Sequence, residues 1–147
     1  MGWIQGVIHV SKLHSFVDHL NQKSSFIKMT GVTLPGREDV LPFFAIHKQA
    51  IILIAPDESE THLEKQAGEQ APHHVECMLE DVVIQGELKV RKGVRLSDGL
   101  AQHEGFLVLR HTVLRGFSDG QVVERRVPVA IVNDDALIGI AESSTAT

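Results

Sequence analysis

The sequence predicts an α+β fold, mainly β, built as two tandem β-α-β-β-β repeats packed as one pseudo-twofold barrel or sandwich. Three observations carry that expectation. The phrase "IQGVIHVSKLHSFVDHLNQKSSF" from residue 4 returns as "IQGELKVRKGVRLSDGLAQHEGF" from residue 84. Apolar residues alternate along most other segments, which is the strand period. The composition, 43% hydrophobic and 22% charged with six Phe, one Trp and no Tyr, suits a soluble globular chain whose core is mostly aliphatic.

The repeat is legible position by position. At an offset of 80, Ile4, Gln5 and Gly6 meet Ile84, Gln85 and Gly86; Asp18, Leu20 and Phe26 meet Asp98, Leu100 and Phe106. Six residues then enter the second copy within "GFSDGQVVE", a polar stretch where a hairpin loop tolerates insertion. The match resumes at an offset of 86, where "LPFFAIHKQAIILIA" (41–55) aligns with "VPVAIVNDDALIGIA" (127–141).

Each copy divides by period. "WIQGVIHV" alternates as a strand does. In "SKLHSFVDHLNQKSS", Phe16, Val17 and Leu20 sit at helical spacing behind Ser15 as N-cap, with Asp18 at the reach-back position. In the second copy Ser97 or Asp98 would cap a shorter turn. "FIKMTGVTL" and "GFLVLRHTVLRGF" read as long strands, and the segments about "HKQ" and "NDD" as tight hairpins, which gives about eight strands and two short helices. Pro42 and Pro128 open their strands, where a missing N–H does least harm. The first repeat is 1–56, an acidic linker 57–81, the second repeat 82–142 and a disordered tail 143–147. A single unit of this size has exposed edges and a small core, so two copies would complete each other.

Charge narrows the function. A formal net charge of −5 disfavours nonspecific binding to nucleic acid or to anionic membranes, and "KVRKGVR" is only a local basic run. The single cysteine, Cys77, excludes an intramolecular disulfide and suits a reducing cytoplasm. The first residues lack a signal peptide's positive and apolar regions, and no apolar run reaches the roughly 18 residues that span a bilayer. A cytoplasmic protein is expected.

The stretch "GELKVRKGVRLSDGLAQHEGFLVLRHT", with the closing "VAIVNDDALIGI", resembles a small bacterial family of unknown function marked by an R-x-S-D-x-L-N-like signature. Arg95, Ser97, Asp98 and Leu100 match that pattern, while Ala101 stands where it has Asn. In the first copy Asp18, Leu20 and Asn21 match, but Ser15 and Val17 replace the Arg and the Ser. The order of elements is also similar to small Sm-like or SH3-like barrels, a likeness of fold that implies no activity.

Motifs for chemistry are few. There is no G-x-S-x-G elbow and no phosphate-binding G-x-x-x-x-G-K-[ST] loop. Nine histidines are unusual for this length. The densest group is "HHVEC", where His73, His74 and Cys77 offer a half-site for zinc, with Glu76 and His62 nearby. That metal-dependent reading is the alternative. The preferred one needs no cofactor: a non-catalytic binding or assembly module that self-associates or takes a protein partner through its sheet edges or inter-repeat groove. The hairpin "RGFSDGQVVERR" breaks the repeat symmetry, and it makes Arg115, Arg125 and Arg126 the candidate partner-binding residues.

Overall fold

The computed structural model describes residues 3–10, 15–56, 69–103, 105–118 and 120–143. Strand β1 (Gln5–Ile8) leads to helix α1 (Phe16–Leu20), strands β2 (Phe26–Thr33) and β3 (Leu41–His47), a 3-10 turn at Lys48–Ala50 and a short strand β4 (Leu53–Ile54). After β5 (Gln70–Met78) come β6 (Val82–Arg91), helix α2 (Leu96–Ala101), β7 (Leu107–Ser118), β8 (Gln121–Val132), a 3-10 turn at Asp134–Ala136 and β9 (Gly139–Glu142). The protein is mainly β, with two antiparallel sheets: β1-β2-β3, and β4-β8-β7-β6-β5-β9.

Local sequence accounts for these elements. Ser15 caps α1, its Oγ accepting the Asp18 N–H at 3.2 Å, and the helix buries Phe16 and Leu20, four residues apart on one face. In β2 the buried residues Ile27 and Met29 alternate with exposed ones, and Val32 resumes the inward face beyond Gly31. That shift is a bulge: Gln5 pairs with Thr33 but Val7 with Thr30, so Gly6 faces both Gly31 and Val32. Eighty residues on, Gln85 pairs with Val113 and Glu87 with Arg110, so Gly86 faces His111 and Thr112. The next pairs run in step too, Ile27 with Ile46 and Leu107 with Val132.

Two hydrophobic clusters result. One lies within the large sheet and under α2, around Val75, Cys77, Ile84, Leu109 and Val132. The other joins the two sheets through α1, gathering Phe16, Leu20, Ile27, Ile51, Phe106, Val108 and Ile131. Asn21 ties the same junction, its Oδ1 accepting the Phe106 N–H at 3.3 Å.

Several expectations need correction. No closed barrel forms among the described residues: β3 and β1 end one sheet, β4 and β9 the other. The segments about "HKQ" and "NDD" are not hairpins. Each 3-10 turn closes on itself, Ile51 N–H to Lys48 O and Leu137 N–H to Asp134 O, both at 3.1 Å, and sends the chain to a different strand. Thus β4 pairs with β8 and β9 with β5, instead of with their sequence neighbours β3 and β8. Residues 70–78, read as the later part of the connector, form β5. Val75 and Cys77 alternate inward and are almost fully buried, a strand pattern masked by the acidic and histidine-rich residues around it. Residues 57–68 lie outside the described residues.

On α2 the N-cap is Arg95, without a side-chain cap bond, and Ser97 and Asp98 fall inside the first turn. Of the expected tail, Ser143 donates its N–H to His74 O at 2.7 Å, and 144–147 lie outside the described residues. No described helix is long and apolar enough to cross a membrane.

Candidate functional site

The described residues enclose a cleft of about 710 Å³, within the range of ligand-binding sites. One wall is residues 3–8, the other residues 50–56, and Phe16, Met29 and Ile46 also line it. Every residue of both walls lines the cleft. A strand that turned one face to a cavity would contribute alternate residues only. The walls are therefore strand edges. β1 has β2 on its other side and β4 has β8, so each is the last strand of its own sheet, and the two open edges share one gap.

Why the second wall stands there is a matter of two asparagine bonds. Asn133, 4% exposed, donates its Nδ2 to the carbonyls of Ile51 (2.8 Å) and Lys48 (3.1 Å). Its backbone N–H reaches Ile52 O at 3.0 Å. These bonds fasten the chain leaving the first 3-10 turn onto the end of β8, and β4 continues the pairing as Leu53 with Val132 and Ile54 with Ile131. Ile51 then points into the core and Ile52 outward, at 37% exposure. On the first wall Val7 is exposed, so both rims carry aliphatic groups in water.

At the β1 end the guanidinium of Arg125 lies 4.5 Å from the centre of the Trp3 ring, a cation–π contact. Arg125 is the one charged side chain lining the cleft among the described residues. The other two arginines of the long hairpin are elsewhere. Arg125 pairs across the ladder with Leu114, Arg126 with Val113 and Arg115 with Glu124. Cross-strand partners share a face and neighbours along a strand do not. The pleat therefore puts Arg125 on the core side with Leu114, and Arg115 and Arg126 on the opposite face, where Arg126 lies 3.7 Å from Glu124. The three arginines form no single patch.

The histidine–cysteine segment is placed on β5. His73 Nδ1 stands 3.0 Å from Glu142 Oε1, and His74 Nδ1 4.0 Å from Glu87 Oε1 on the facing strand. Cys77 is fully buried, and burial pushes its thiol up to about 11. His73 and Cys77 lie on one face of the strand, His74 and Glu76 on the other, so the strand period separates them. No group of three His, Cys, Asp or Glu that could hold a metal converges among the described residues; His62 lies outside them.

Trp3 and residues 50–56, which sequence reading left out as site residues, are the ones that build the cleft. The signal was present: Ile4, Gln5, Gly6, Ile54 and Ala55 all recur in the second half, where β5 covers both of the corresponding edges. Comparison of the chain with protein-family models, with curated proteins and with solved structures finds no match.

Proposed function

We propose that this protein is a non-catalytic binding module whose two halves, tandem β-α-β-β-β units, form one body and hold a protein partner in the cleft between β1 and β4. The observation that carries this reading is the cleft's construction. Its walls are mostly aliphatic backbone edges, its exposed rims are Val7 and Ile52, and its one charge among the described residues is Arg125. An arginine is a permanent cation, suited to anchoring an anion and poorly suited to moving a proton at neutral pH. The arrangement therefore favours recognition over turnover.

Trp3 is the only tryptophan in the chain and lines the cleft, so it reports on occupancy directly. The apolar anion 8-anilinonaphthalene-1-sulfonate matches the site's chemistry. It is expected to bind once per chain, to take up energy from Trp3 emission, and to be lost in Ile52→Glu, whose position is exposed enough to leave the fold intact. No stoichiometric binding, or binding indifferent to Ile52→Glu, would overturn the reading.

A further inference from the structure

The second half of the protein contains a filled version of the same gap. β5 lies between β6 and β9 and runs antiparallel to both. Cys77 faces Ile84 on one side and Ile140 on the other; Glu76 faces Gln85 and Ala141; Val75 faces Gly86 and Glu142; Met78 faces Val83 and Gly139. At the offsets of 80 and 86 the residues on these two walls become Trp3, Ile4, Gln5 and Gly6 on β1's side, and Leu53, Ile54, Ala55 and Pro56 on β4's side. Five of those eight are unchanged: Ile4, Gln5, Gly6, Ile54 and Ala55. All eight line the cleft.

We propose that the cleft is a strand-receiving slot, which takes an extended peptide of a partner protein antiparallel to both β1 and β4, as β5 is held between β6 and β9. The inference rests on the binding reading above and specifies its ligand. Strand addition gains affinity from backbone hydrogen bonds and specificity from alternate side chains. The register follows from the filled slot. A small apolar residue sits between Ile4 and Ile54, where Cys77 sits in the second half. Another lies two positions earlier, between Gly6 and Pro56, in the place of Val75. Both of those β5 residues are almost completely buried, so the alternation is the recognition element.

The ends of the peptide differ. Pro56 stands where the filled slot has Glu142; there Ser143, the next residue, donates its N–H to His74 O, so the N–H of Glu142 turns away from β5 and a proline in its place removes no slot bond. The His73–Glu142 pair consequently has no counterpart to satisfy. The antiparallel direction carries the peptide's C-terminal end towards Trp3. There Arg125 is the one charged side chain among the described residues that line the cleft, and it calls for a carboxylate just beyond the paired residues. The peptide is thus small-apolar at two alternate positions and acidic at its C-terminal end. The segment 70–80 of this chain has that pattern itself, with Val75, Cys77 and Glu80.

The test adds peptide 70–80, carrying Cys77→Ala against oxidation, to the full-length isotope-labelled protein and follows backbone amide resonances. Shifts at Ile4, Gln5, Gly6, Leu53, Ile54 and Ala55, with cross-strand contacts to the peptide, are expected. Aspartate at the two inward peptide positions should abolish binding, and Glu80→Gln in the peptide should weaken it about tenfold. Shifts confined to β6 and β9, where the peptide displaces the resident strand, would overturn the proposal, and so would none at all. The same shifts on raising protein concentration without peptide, with a dimer's mass, would give the slot to a second copy and overturn the partner peptide. Dye binding at Trp3 with no peptide binding would remove the strand inference and leave the binding reading standing; failure of both would remove both.

Discussion

Gly31 and His111 occupy the same place in the same bulge, eighty residues apart, with φ of 60° and 53°. In such a bulge the first of the two residues facing one partner adopts the left-handed conformation, which glycine accepts at no steric cost. A residue with a Cβ is strained there by roughly 1–2 kcal/mol. His111→Gly should therefore stabilise the protein by about 0.5–1 kcal/mol after glycine's extra unfolded-state entropy is counted. His111→Ile should destabilise it, because a β-branched residue tolerates this region worst. The ring is mostly exposed, its Nε2 4.0 Å from Glu87 Oε2, so removing it uncovers little of the core. Urea midpoints of the two variants measure the effect, and a stabilised Ile variant would contradict it.

The glycines opposite those bulges are held by contact instead of conformation. A Cβ on Gly86 would come within 2.8 Å of Thr112 Cγ2 and 3.1 Å of the Arg110 carbonyl. Thr112 has no room to turn aside: it is 2% exposed and its Oγ1 donates to Val127 O at 2.8 Å. On Gly6 the Cβ would meet Val32 Cγ2 at 2.8 Å and the flexible end of Met29 at 3.1 Å. Gly86→Ala is expected to cost about 1–3 kcal/mol, as overpacking of a filled interior does. Gly6→Ala should cost a comparable amount, since Met29 can yield but Val32, which makes the closer contact, is fully buried. Paired denaturation curves measure both, and a loss under about 0.5 kcal/mol at either site would contradict the overpacking account.

These two sites also mark how far the sequence could be read. The strands and α1 were legible because burial follows a short period, Ile27 and Met29 inward, or Phe16 and Leu20 on one helix face. Ser15 was legible as a cap because its partner lies three residues away. Partner choice was not. Whether the chain after Ala50 returns to β3 or crosses to β8 depends on a 3-10 turn and on Asn133, 82 residues from the Ile51 carbonyl it binds. Nothing in the spacing of "HKQ" encodes that distance. β5 was hidden for a different reason: its inward residues Val75 and Cys77 stand among His73, His74, Glu76 and an exposed Met78, and the segment fits as well with a polar connector until both neighbouring strands are in place. The cleft escaped notice with them, being the space between two edges that the crossing strand brings together.

Asn133 is accordingly the residue on which the second cleft wall depends. Asn133→Ala removes two donated bonds to Lys48 O and Ile51 O, and the bond its Oδ1 accepts from the Asp135 N–H at 3.1 Å. With the carbonyls left in a site of 4% exposure, the loss should be about 2–4 kcal/mol. Asn133→Asp should be no better, because a carboxylate cannot donate to those carbonyls and would be a buried charge among them. Amide hydrogen exchange should accelerate first at Ile54, the β4 amide that faces β8, ahead of β7. Uniform acceleration across both sheets would mean that Asn133 supports the whole fold and not this wall.

Cys77 supplies a pH test of the core. Its thiol is fully buried between β6 and β9, and loss of water around the thiolate raises its pKa from 9.0 to about 11. The raised value means that the folded protein keeps the proton after the unfolded chain has released it. Stability from this group is therefore complete below pH 9 and is lost as the pH climbs from about 9 to about 11. In Cys77→Ala that part of the decline should be absent, so the two unfolding curves, offset at pH 8 by the cost of the small cavity, should converge by pH 11. Labelling with a thiol reagent at pH 8 should proceed only at the rate at which β5 opens, since the reactive species is the thiolate and the folded thiol is both protonated and covered. Rapid labelling of native protein would show that β5 leaves its slot readily, and a denaturant-independent rate would assign that release to local opening of the strand instead of to global unfolding.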